Sequence, residues 1–144
     1  MALSTSISTK EFERIANLAY TGLECRVSLH DNDGTLTAES TITDWDAKKV
    51  PTANGYEDFV VPTLPEGGLD EGSDERWEIG GTPGANTYIE ATFNATGAGY
   101  TYNTVVIRIG SSAYPHSILT ESPSITIGSG QSQIYRCQLL VDNI

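Results

Sequence analysis

The sequence predicts a mainly β protein: an antiparallel β-sandwich, jelly-roll-like in outline, of about seven or eight strands, with one short helix at its start. Three observations carry this. Apolar and polar residues alternate in short runs from Leu23 onward. Clusters of Gly, Pro, Asn, Asp and Ser separate the runs. Helical spacing occurs once, over residues 9–21. Strict alternation buries one face of a strand and leaves the other polar, which is the pattern of antiparallel sheets rather than a parallel core. No period of 20 to 50 residues repeats, so a solenoid or propeller is not indicated.

The helix has a start and a stop. Ser8 followed by Glu11 forms a capping box, and Ile7 is placed to pack on Phe12 as a staple. Phe12, Ile15, Ala16 and Ala19 form an apolar stripe, which must cover either this domain's sheet or a neighbouring subunit. Gly22 ends the helix in the C′ position.

The strands follow in order. Leu23, Cys25, Val27 and Leu29 alternate with polar residues and predict a half-buried strand. Asp33-Gly34 then predicts a hairpin tip, returning into a Thr-rich strand from Leu36 to Trp45. Further strands are expected at Tyr56–Val61, Ile89–Phe93, Val105–Ile109, around Ile125 and Ile127, and from Tyr135 to Val141. The stretch from Pro62 to Asn86 stands apart, with six acids, one base and three prolines. It reads as a long acidic loop, anchored by Trp77 and able to serve as an arm to a neighbouring subunit. The expected organisation is therefore an arm and helix over 1–22, then one β domain over 23–144.

Composition narrows the partners. The chain has 144 residues, 19 acids against 8 bases and a net charge of −11. Such a surface repels phosphate backbones and anionic membranes, so neither nucleic acid nor membrane is expected as a partner. The start, MALSTSISTKEFERI, lacks a basic stretch and an apolar h-region, which predicts no secretory signal and a cytoplasmic origin. Cys25 and Cys137 are far apart and form no CxxC pair. Two buried thiols are expected; one disulfide is the alternative.

The search for chemistry finds no catalytic, cofactor or metal site. LHDNDGTLTAE, residues 29–39, resembles a calcium loop at first sight. With Gly34 at loop position 6, Asp33 and Asp31 fill positions 5 and 3, but Leu29 and Ser40 occupy positions 1 and 12. The two histidines, His30 and His116, sit in no GxSxG, HExxH or cysteine-protease context. The glycine-rich turns at 109–113 and 127–131 lack phosphate-loop endings. Tyr88, Tyr100 and Tyr102 fall opposite the apolar faces of Ile89 and Val105, so they are candidate exposed contacts for carbohydrate or protein. No enzyme is expected, although Asp31, Asp33 and His30 are the residues from which a small one would be assembled.

The run YTYNTVVIRIGSSAYPHSILTESPSITIGSGQSQIYRCQLLV, together with RVSLHD and the Thr-rich stretch after it, resembles small structural proteins of tailed bacteriophages. The resemblance extends over most of the chain as a pattern of strands and turns. It implies a virion protein, assembled in the host cytoplasm, that binds other virion proteins as a symmetric homo-oligomer, with a trimer favoured. The implied location is the tail, baseplate or fibre attachment site. The alternatives are a capsid decoration protein on the head and a module binding host-surface glycan. Phe12, Ile15, Ala19, Trp77, Tyr88, Tyr100 and Tyr102 are the expected contact residues.

Overall fold

The computed structural model describes residues 8–69, 76–79, 89–137 and 139–142. Ile7 and Tyr88 lie outside them, as do 70–75 and 80–86 of the acidic segment. The chain is mainly β, with antiparallel sheets and few helices. It divides into two compact units: Met1–Gly22, Thr63–Ile89 and Arg136–Ile144 form one, and Leu23–Pro62 with Glu90–Tyr135 the other. The boundary expected after Gly22 is one of several. Residues 63–89 and 136–144, assigned by the sequence to the second domain, group with the helix.

In the first unit, α1 (Thr9–Tyr20) starts where the capping box placed it. The Glu11 N–H donates to Ser8 Oγ at 3.3 Å. At the other end Gly22 has φ +84°, the left-handed conformation that glycine adopts without a steric penalty. Its N–H donates to the Leu64 carbonyl at 2.9 Å, while Asn17 Oδ1 accepts from the Gly67 N–H. Two side chains of the expected stripe, Phe12 and Ala16, are buried. Ile15 and Ala19 are exposed, so the stripe is covered only in part within this chain. The strands α1 meets are only two and four residues long and cover a narrow strip of it.

Those strands are β3 (Gly68–Leu69) and β4 (Arg76–Ile79), which form a three-stranded sheet in the order β3-β4-β9 with β9 (Leu139–Asp142). The segment expected to be one structureless loop therefore contains two strands. Trp77 lies in the central one, opposite Leu69 and Val141.

The second unit is organised by a four-stranded antiparallel sheet in the order β2-β1-β6-β7. Its members are β2 (Phe59–Val61), β1 (Cys25–His30), β6 (Tyr100–Ile109) and β7 (Ser117–Ile127). β5 (Ile89–Asn94) pairs with β8 (Ser132–Cys137) in a two-stranded sheet. The expected seven or eight strands of one sandwich are thus distributed over sheets of four, three and two. The four-stranded and two-stranded sheets together hold fewer strands than the sandwich expected from the sequence.

Register fixes what each face carries. Cys25, Val27 and Leu29 oppose Ile109, Ile107 and Val105, giving one apolar face. Arg26, Ser28 and His30 oppose Arg108, Val106 and Thr104 on the other. Alternation predicts that this second face is solvated, yet Ser28, His30, Thr104 and Val106 are all buried. The cover is α2 (Ile42–Asp46), a short helix in the stretch that the sequence assigns to a strand.

Two capping events explain that correction. Thr41 Oγ accepts from the Asp44 N–H at 3.2 Å, which starts a helical turn. Before it, Asn32 Oδ1 accepts from the Gly34 and Leu36 N–H groups, and Asp33 Oδ1 from that of Thr35. Side chains that bond the nearby backbone compete with a strand ladder, and here they prevail over threonine's β preference. Trp45 is then buried with Ile42 and Val106, flanked by Leu36 and Ile118. The Asp-Gly turn exists, with Gly34 at φ +94°, but it leads into this helix and not into a hairpin strand.

β7 is longer than expected and pairs with β6 in two registers. Tyr100–Tyr102 oppose Ile127–Ile125, and Thr104–Ile107 oppose Thr120–Ser117. Residues 121–124, Pro123 among them, fall between the two ladders.

Candidate functional site

The buried polar face of the four-stranded sheet carries the one concentration of chemistry among the described residues. Residues two apart on a strand share a face, so β1 sets Ser28 beside His30. Ser28 Oγ lies 2.7 Å from His30 Nε2. His30 Nδ1 lies 2.8 Å from the Trp45 carbonyl oxygen, which α2 delivers. A carbonyl only accepts, so Nδ1 carries the proton and Nε2 presents its lone pair. The Ser28 hydroxyl therefore donates to Nε2. Burial holds the imidazole below its usual value; the Trp45 carbonyl opposes this and Lys49 adds to it. The Trp45 ring meets the imidazole edge-on, with centroids 5.4 Å apart.

Asp58 organises the charges on the flank of the same strand. Its Oδ2 accepts from Arg26 Nη1 at 3.0 Å and Lys49 Nζ at 2.9 Å, and its Oδ1 from the Tyr56 hydroxyl at 2.6 Å. Burial alone would raise its pKa; the hydrogen bonds from Tyr56, Lys49 and Arg26 outweigh burial and hold it below the usual carboxylate range. Tyr56 in turn accepts from the Leu29 N–H at 2.9 Å, and burial pushes its hydroxyl far up.

A cavity of about 260 Å³ opens beside the pair. Ser28, His30 and the apolar side chains of Ile42, Trp45 and Val106 line one part of it. Arg26, Lys49 and Arg108 supply positive charge around the rest, with Glu24 and Asp46 between them. Such an arrangement holds a neutral base against a hydroxyl, next to a space lined by apolar, cationic and acidic side chains.

Of the residues expected to form a site, His30 is in it, while Asp33 is engaged elsewhere and the candidate contact tyrosines are buried. Asp33 Oδ1 accepts from the Thr35 N–H and hydroxyl, and Oδ2 from Lys48 Nζ at 3.3 Å. Asp33 is therefore not drawn to His30. Tyr100 and Tyr102, expected on an exposed face, are buried at 8% and 0% exposure. Tyr100 donates to the Asn94 carbonyl and packs edge-on to Tyr56. Tyr102 shares a hydrogen bond with Tyr135, whose ring also meets Phe93. Along β6 the buried Tyr100, Tyr102 and Thr104 alternate with the more exposed Thr101 and Asn103, so the two-residue period holds and it is the face expected to be solvated that is buried. Trp77 holds a backbone place in β4, and Tyr88 lies outside the described residues.

Cys25 and Cys137 are both buried thiols outside any disulfide, as expected. Sequence reasoning missed Ser28 altogether. Its signal was Ser-x-His within a strand pattern, two positions that alternation places side by side. What hid the pair was the expectation that this face is solvated.

No family model matches the chain, and no curated protein or solved structure matches it.

Proposed function

We propose that this chain is a structural protein of a tailed-bacteriophage virion, built as an antiparallel β-sandwich and working by protein–protein assembly at the tail, baseplate or fibre attachment site. The observation that carries the reading is β7. It is the outer strand of the four-stranded sheet, eleven residues long and largely exposed, with Leu119 at 49% exposure. An edge of this kind offers unpaired backbone groups to a strand from another chain. Ile15 and Leu18 on α1 add apolar surface of the sort that partners cover. The sandwich part of the reading is supported by the rings of Phe93 and Tyr135, which come from the two-stranded sheet and meet Tyr56 and Tyr102. The net charge of −11 suits a protein held at high concentration before assembly. The assembly role itself requires no chemistry.

The test is the mass of the purified chain in solution, together with its position in the parent particle by electron cryomicroscopy. A homo-oligomer, a trimer foremost, and tail-associated copies in threes, sixes or twelves are expected. Leu119→Lys should shift the assembly towards monomer without lowering the melting temperature. Hundreds of copies on the head would replace this reading with the decoration alternative. Glycan binding by a monomer absent from particles would overturn both.

A further inference from the structure

We propose that Ser28 is an activated nucleophile, able to take the acyl group of a small ester bound in the cavity beneath α2. The geometry has the parts that acyl transfer needs from the protein. A serine hydroxyl is a weak nucleophile unless a base accepts its proton as it attacks. His30 Nε2 is 2.7 Å from Oγ, within the range for that transfer. The base must be neutral and correctly oriented, and the Trp45 carbonyl, by accepting from Nδ1, fixes both tautomer and ring position. A backbone carbonyl here performs the orienting role that a carboxylate performs in a triad.

The cavity supplies the place for a substrate. Both side chains are largely buried, Ser28 at 6% and His30 at 1% exposure, and the cavity is what reaches them. Its volume of about 260 Å³ admits a short acyl chain against Ile42, Trp45 and Val106. Arg26, Lys49 and Arg108 line the space together with Glu24 and Asp46; Arg26 and Lys49 are ion-paired, which leaves Arg108 as the cation nearest in role to a stabiliser of the negative charge that the carbonyl oxygen of a bound ester would develop. The substrate class is therefore an ester of a small, largely apolar carboxylic acid. In the step itself Oγ forms a bond to the carbonyl carbon, and its proton passes to His30 Nε2. The bond from carbon to the leaving oxygen then breaks, with its electron pair on the leaving alkoxide or phenolate, which the imidazolium proton or water neutralises. Water, deprotonated by the same imidazole, later releases the acid and restores Ser28.

This inference is independent of the assembly reading, and its test does not depend on oligomeric state. The full chain is incubated with p-nitrophenyl acetate, p-nitrophenolate release is followed, and the acetylated peptides are mapped by mass spectrometry. An initial burst of about one equivalent per chain is expected, with the acetyl group on Ser28. Since general-base assistance contributes about 100-fold or more, acetylation of Ser28 should fall by at least that factor in urea. Ser28→Ala should abolish the burst while leaving the circular dichroism spectrum unchanged. His30→Gln should slow Ser28 acetylation by a similar factor. Because His30→Gln could disturb the packing, the decisive measurement is the acetylation map of the unaltered chain. Acetyl groups only on lysines and the amino terminus, or on Ser28 at the same rate in the unfolded chain, would overturn the proposal.

Discussion

Replacing Trp45 by alanine is the sharpest test of the buried polar face. The ring is fully buried among Ile42, Val106, Leu36 and Ile118, and it meets His30 edge-on. Its Nε1–H donates to the Thr37 carbonyl at 3.1 Å. Removal of a buried tryptophan costs about 3–5 kcal/mol through lost burial and the cavity left behind. The lost hydrogen bond adds about 1 kcal/mol. Some relaxation of so short a helix offsets part of this, leaving about 4 kcal/mol. For a chain of this size each kcal/mol moves the melting temperature by about 3 °C, so Trp45→Ala should melt about 12 °C lower. Trp45→Phe keeps most of the ring and loses the hydrogen bond, and should cost about 1.5 kcal/mol. Urea unfolding followed by far-ultraviolet circular dichroism measures both. If Trp45→Ala falls within about 1 kcal/mol of the unaltered chain with an unchanged m-value, α2 does not close the sheet, and the reasoning about Ser28 and His30 fails with it.

Other perturbations follow from the same structure. Asp58→Ala strands Arg26, Lys49 and the Tyr56 hydroxyl; because both cations are part-exposed, the cost should be about 2–3 kcal/mol, with Asp58→Asn near half that, by urea midpoint. A cost under 0.5 kcal/mol would show that solvent already satisfies these groups. Burial holds the His30 imidazole below its ordinary value of about 6.5. The unfolded chain then takes up that proton first, so the stability it contributes is complete above about pH 6.5 and is lost as pH falls below it. Melting temperatures at pH 7.5, 6.5 and 5.5 should therefore decline, and a flat or rising series contradicts the burial of this ring. At Gly99, φ is +72° and an added Cβ would lie 2.3 Å from the Ile127 carbonyl oxygen, so Gly99→Ala should cost about 2–4 kcal/mol; a shift below 1 kcal/mol in the urea midpoint refutes that contact. Ser8→Ala removes the α1 cap and should cost about 1 kcal/mol, read as a small loss of helical signal and a lower melting temperature.

How much of this was legible in the sequence depends on the range of the interaction concerned. The α1 boundaries could be read because Ser8, Glu11 and Gly22 act within a turn of one another. The inward face of β1 could be read because Cys25, Val27 and Leu29 obey the two-residue period. α2 could not be read, since a Thr-rich stretch satisfies both a strand pattern and a cap, and the choice falls to Trp45 finding Val106 some sixty positions away. Tyr100 and Tyr102 were misplaced for a related reason: the two-residue period of β6 holds, but their rings are covered by Tyr56 and Tyr135 from other parts of the chain. The Ser28–His30 pair was visible as spacing but not as a site, because a face that looks solvated in one strand is closed by residues from another.

One feature of β7 bears on which partners could join its edge. A proline has no N–H to offer, and Pro123 sits in the stretch between the two ladders. A strand added at this edge would find no donor at Pro123. Proline on an edge strand is one of the devices that discourage indiscriminate pairing of exposed sheet edges.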